Sequence, residues 1–141
     1  MTARPPCPII AVDPGREKCG LAVLHNSTVL FRALVPTLEI GPTCYYLLGR
    51  HPGAEIVIGN LTSTRQVQEA IRAVCPTATF HEADEANTTE LARARYWLEN
   101  PPRGLQRLIP AGMRVPPRPV DDYAAVLLGE RWLARTHPEA P

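Results

Sequence analysis

Three acidic residues stand where the chain leaves or enters an element: Asp13 in Val12-Asp13-Pro14-Gly15, Glu85 after His81-Glu82-Ala83-Asp84, and Asp121 in Val120-Asp121-Asp122. Asp13 ends the apolar run Ile9 to Val12, which reads as a buried strand closed by a Pro-Gly turn. An Asp there can cap the turn or hold a metal or phosphate, since ligands of open α/β sheets bind beyond strand ends. Glu82, Asp84 and Glu85 crowd within four positions, which is unfavourable unless a cation offsets the repulsion. From Asp121, the positions i+3, i+4, i+7 and i+11 are Ala124, Ala125, Leu128 and Trp132, an apolar helix face that puts Asp121 inward. Asp122 lies with Val126, Gly129 and Leu133 and is less committed to the sheet, so it ranks as the weaker metal ligand. Oxygen ligands without a His/Cys cluster favour Mg²⁺ or Mn²⁺. Two such ions roughly 4 Å apart can clamp the attacking and leaving oxygens of a phosphodiester. Asp13, Glu85 and Asp121 are thus the candidate catalytic and metal-ligating set.

The elements that must position them follow from periodicity. Gly20 to Leu24 and Thr28 to Val35 are β-rich runs around a His25-Asn26-Ser27 turn, so the first third predicts an antiparallel three-strand meander. Tyr45 to Arg50 closes a short helix, and Glu55 to Gly59 is a second buried strand. Ser63 and Gln66 fit a capping box ahead of the helical stripe Val67, Ala70, Ile71, Val74, which Pro76 stops. Ala78 to His81 reads as a short strand, Thr89 to Leu98 as a helix capped by Asn87 or Thr88, and Asp121 to Ala134 as the last helix. The order predicts an α/β protein, a mixed five-stranded sheet (the meander plus two parallel strands) flanked by helices. Residues 1–141 make one domain, with a flexible N-terminus at 1–8, a Pro/Arg-rich loop at 100–119 and a tail at 136–141.

Composition narrows the class without naming a partner. The formal net charge is +1, and Lys18 is the sole lysine among fifteen basic residues. The loop 100–119 carries Arg103, Arg107, Arg114 and Arg118, six prolines and no acidic residue. With Arg16 and Lys18 beside Asp13, these side chains are the candidate nucleic-acid contacts, through phosphates. Cys7, Cys19, Cys44 and Cys75 form no metal-ligand spacing and read as free thiols of a reducing cytosol. No apolar run suits a signal peptide or a membrane span, which points to a cytoplasmic protein.

Four collinear segments carry a resemblance. Ile10-Ala11-Val12-Asp13-Pro14-Gly15-Arg16-Glu17-Lys18-Cys19-Gly20-Leu21-Ala22-Val23 resembles the opening of YqgF/RuvX proteins and RuvC-type Holliday-junction resolvases. Ile56-Val57-Ile58-Gly59 is similar to their second strand block, Asp84-Glu85-Ala86-Asn87-Thr88-Thr89 to an Asp-Glu-Arg-Leu-Thr-Thr segment, and Val120-Asp121-Asp122-Tyr123-Ala124-Ala125 to a Val-Asp-Ser-x-Ala-Ala helix start. The resemblance implies an RNase H-like fold, metal-ligand roles for Asp13, Glu85 and Asp121, and a nuclease acting on Holliday junctions or on precursor ribosomal RNA. Junction cleavage would suit a two-fold homodimer. The chain departs from the pattern at Ala86 and Asn87, which replace Arg-Leu, and at Arg118, where some resolvases carry another Asp or a His. Two other readings are a nucleic-acid-binding module that keeps the fold without catalysis, and a phosphate-loop ATP binder of the sugar-kinase and actin class. The latter needs two such domains around one cleft.

Overall fold

The computed structural model describes residues 7–60, 63–84, 86 and 88–136. Its elements run β1 (Ile9–Asp13), β2 (Lys18–His25), β3 (Thr28–Pro36), α1 (Ile40–Arg50), β4 (Glu55–Gly59), α2 (Thr64–Val74), β5 (Phe80–Ala83), α3 (Thr88–Glu99) and α4 (Asp121–Thr136). The sheet order is β3-β2-β1-β4-β5, antiparallel from β3 to β1 and parallel from β1 to β5. This is the predicted meander plus two parallel strands. The β2–β3 hairpin turns through Asn26 at φ 57, a left-handed conformation that Asn tolerates.

β1 is central and both of its faces are covered, which explains an apolar run without alternation. Ile10 and Val12 face α1 and α2, packing with Leu21, Ile56, Ile58, Val67 and Ile71. Ile9 and Ala11 face α4, packing with Ala22, Leu24, Val57, Ala125 and Leu128. α3 lies outside α4, joined to it by Ala92, Tyr96, Tyr123 and Ala124. No helix among the described residues is long and apolar enough to cross a membrane.

Three local expectations change. Ser63 caps nothing: it sits at φ 70 without a side-chain cap bond, and the Thr64 hydroxyl instead donates to the Gly59 carbonyl. A capping side chain needs an extended N-cap backbone, which the left-handed Ser63 lacks. β5 begins two residues later than predicted and runs through Ala83, because its parallel register with β4 pairs Ile56 with Phe80 and Gly59 with Ala83. Segment 100–119 contains two 3-10 turns, Gly104–Leu108 and Ala111–Met113. Asn87, proposed as a helix cap, lies outside the described residues.

Candidate active site

Strand alternation sets the face of Asp13. Ile9 and Ala11 point to α4, so Asp13 does too. Asp13 pairs with Gly20 on β2, and a Cβ at Gly20 would overlap the backbone carbonyl of Asp121. The absent side chain is therefore what lets α4 begin directly above the β1–β2 pair. Further along, Gly129 lies against Leu24, Ala11 and Ile9, where an added Cβ would come within 2.8 Å of Leu24. Two glycines thus seat α4 close on the sheet and bring Asp121 beside Asp13. The turn after Asp13 is fixed from the other side: the Thr37 hydroxyl donates to the Gly15 carbonyl at 2.8 Å, and the Thr37 amide to the Glu17 carbonyl at 2.8 Å.

The carboxyl groups of Asp13 and Asp121 are joined by a side-chain hydrogen bond. Burial pushes the Asp121 carboxyl above the usual Asp range, and the charge of Asp122 pushes it further. The bond from Asp13 and the nearby Lys18 ammonium pull it part of the way back. A cation between two carboxyls in contact favours the ionised form of both. Cys19 lies close by, bonded to Thr37 at 3.5 Å. Burial holds its thiol up, and Asp13 and Asp121 raise it further, so it is neutral and unreactive near neutral pH.

Asp122 departs from expectation. It is 4% exposed, deeper than Asp121. Val126, Gly129 and Leu133 on its side are buried as well, while Trp132 on the Asp121 side is only partly so. Helix phase fails to separate the two because α4 is sandwiched between the sheet and α3. Their partners separate them. Arg118 donates to Asp122 through Nη1 at 3.1 Å and Nη2 at 3.3 Å, and Arg32 Nε lies 3.1 Å from Oδ2. Both guanidinium groups also lie over the Tyr123 ring, at 4.0 Å for Arg32 and 5.3 Å for Arg118. Arg118, expected at a phosphate, is therefore folded back onto a buried carboxylate. Sequence reading passed over Arg32. Its one trace there is a lone charge within the apolar run Val29-Leu30-Phe31 to Ala33-Leu34-Val35.

Glu85 lies outside the described residues. Its neighbours are held: Arg131 Nη1 donates to the carbonyls of Asp84 at 2.8 Å and Ala86 at 2.9 Å, and the Ala86 amide donates to Asp84 Oδ1 at 2.9 Å. Of the predicted phosphate contacts, Arg16, Lys18, Arg103 and Arg107 are exposed, whereas Arg114 is half-buried and donates to the Gln106 carbonyl at 3.1 Å.

Among the described residues no cluster of three or more His, Cys, Asp or Glu is assembled. Two carboxylates suffice for Mg²⁺, which keeps several waters and is usually held by one or two carboxylates. The Asp13–Asp121 pair fits that chemistry, since a divalent cation would offset the repulsion and the burial that raise Asp121.

No protein-family model and no curated protein sequence matches the chain. Solved structures do. The chain is similar to Thermus thermophilus RuvC in complex with a Holliday junction substrate, with a TM-score of 0.59 and 16% identity over 93% of this chain and 96% of that one. It is also similar to a second Thermus thermophilus RuvC structure, with a TM-score of 0.55 and 13% identity over 92% and 97% of the two chains. The fold is therefore the RNase H-like fold of RuvC.

Proposed function

We propose that the chain is a divalent-metal-dependent nuclease acting on structured nucleic acid, with a four-way DNA junction as the first substrate to test and precursor ribosomal RNA as the second. The observation that carries the reading is the contact between Asp13 and Asp121 at the end of the central strand, on a fold shared with a junction-bound RuvC. Asp13 and Asp121 hold Mg²⁺ or Mn²⁺, and Glu85 completes the set through its resemblance to the YqgF/RuvX segment. When bound, such ions supply a nucleophilic hydroxide and charge stabilisation for phosphodiester hydrolysis.

The chain's own residues bind and orient. Lys18, near Asp121, and Arg16 in the same turn meet phosphates next to the carboxylates. Asp122 acts by position: clamped by Arg32 and Arg118, it pins the first turn of α4 and thereby Asp121. Arg103, Arg107 and Arg114 extend the phosphate contacts away from the cut. The test is to offer purified protein a labelled four-way junction, a single-stranded DNA and an RNA, each with Mg²⁺ and with Mn²⁺. Cleavage of at least one that EDTA abolishes is expected. Tight binding with no cleavage under either metal would return the chain to the non-catalytic module.

A further inference from the structure

One face of α3 is largely outside the core: Arg93, Ala94 and Leu98 are exposed, and Trp97 is half-buried with its ring edge-on to Tyr96. Arg93, Ala94, Trp97 and Leu98 line a cleft of about 740 Å³, closed on its far side by Pro102 and Arg114 from the 100–119 segment. A cleft of this size takes bases or small molecules rather than a double helix. Arg93 also lines an adjoining cleft of about 390 Å³ that reaches Asp121. Arg93 is shared by the two clefts, so side by side they line α3 from Asp121 to Leu98.

From Thr89 to Leu98 the helix rises about 13 Å, the length of roughly four stacked nucleotides. The walls are mixed. Arg93 and Arg114 supply positive charge, and Glu90 is the one acidic residue lining the larger cleft among the described residues. Leu98 is 81% exposed, an apolar side chain left uncovered. The Trp97 indole N–H is enclosed yet finds no acceptor among the described residues. Buried donors are rarely left so, and such a group marks a place where a ligand or a shift of the covering segment completes the bonding. Flat apolar surface between cations is what unpaired bases and their phosphates require, because every base presents a face for stacking while the backbone needs only charge.

We infer that this groove holds an unpaired nucleic-acid strand leading away from the cut, with its bases against Trp97 and Leu98 and its phosphates on Arg93 and Arg114. The inference rests on the nuclease reading only for its starting point at Asp121.

The test is binding of labelled oligothymidylate, oligouridylate and a blunt duplex, measured in EDTA so that no turnover intervenes. Trp97→Ala is expected to weaken single-strand binding about tenfold, within the range of one lost base–aromatic stack, with duplex binding unchanged. Trp97→Phe, which keeps a ring, should restore most of it. Leu98→Ser changes an exposed side chain, so the fold is retained, and it is expected to weaken single-strand binding about threefold. The two oligonucleotides decide whether the strand is DNA or RNA. Single-strand affinity within twofold of the unaltered protein in both Leu98→Ser and Trp97→Ala, or equal loss on the duplex, overturns the inference. A protein that binds strands through Trp97 and cleaves nothing keeps this inference and loses the nuclease reading.

Discussion

Adjacent aspartates at the start of α4 should respond to the same substitution in opposite directions. Asp122 accepts two hydrogen bonds from Arg118 and forms an ion pair with Arg32, and its side chain is 6% exposed. Removing one partner of a buried pair costs roughly 3–5 kcal/mol. The side chains of Arg32 and Arg118 are 31% and 38% exposed, so water screens part of that loss. Asp122→Asn should therefore destabilise by about 2–3 kcal/mol, a fall in Tm of about 10 °C for a domain of this size. Asp121 is the reverse case. Its folded-state pKa is raised, chiefly by burial, so above that value its ionised form opposes folding. The opposition is relieved as pH falls through the folded value and is gone below the ordinary value of 3.8. In EDTA at neutral pH, Asp121→Asn should leave Tm unchanged or raise it, and the variant should lose the stability gained by the unaltered protein on acidification through that window. Metal reverses the comparison. At one hundred times its Kd, Mg²⁺ stabilises by about 2.7 kcal/mol, a gain that Asp121→Asn should lack. Thermal melts of the three proteins, with EDTA and with Mg²⁺, decide. Equal destabilisation by the two substitutions in EDTA would refute the reasoning, because Asp121 would then be structural too.

Asp13→Asn should remove most metal-dependent cleavage of any substrate while leaving nucleic-acid affinity in EDTA nearly intact; full turnover by this variant would sink the carboxylate assignment. Replacing Arg103 and Arg107 together with Ala should weaken binding to all substrates alike and reduce the salt slope of log K by roughly 0.7–0.9 per lost contact. Arg118→Ala should lower Tm, since it leaves Asp122 short of a partner, and should leave the salt slope unchanged; the opposite pair of results would return Arg118 to the phosphates. Gly20→Ala should destabilise by about 1–3 kcal/mol through the clash with the Asp121 carbonyl and raise the Mg²⁺ concentration needed for half-maximal stabilisation. A variant that melts and titrates normally would remove Gly20 from the account.

The five strands, three antiparallel and two parallel, were legible because their signals are local. An apolar run as continuous as Ile9 to Val12 has to be covered on both faces. Alternation from Ile9 then decides that Asp13 looks toward α4. The pairing of Asp13 with Asp121 was legible only in outline, as two carboxylates at element ends. Its cause, the contact of Gly20 with the α4 backbone, depends on which strand passes under which helix. Asp122 was misjudged because phase reports a face only for a helix with one wet side, and α4 has neighbours around most of its circumference. Its partners come from β3 and from the end of the 100–119 segment, and such long-range ion pairs leave no periodicity to read.

The Asp121-Asp122 pair shows how one helix turn can hold a carboxylate where its own energetics disfavour it. Asp121 is raised by burial and by its neighbour, and the bond from Asp13 with the Lys18 charge offsets only part of that. The place is set by backbone: Gly20 admits the α4 terminus, and Asp122 fastens it to β3 through Arg32 and to the incoming chain through Arg118. Both guanidinium groups are engaged by Asp122 and the Tyr123 ring, whereas the charges acting on Asp121 are those of Asp122 and Lys18. That separation matters chemically. An arginine paired directly with Asp121 would satisfy the carboxylate and weaken its hold on a metal, whereas an arginine paired with Asp122 fixes the same backbone and leaves the Asp121 charge for a cation.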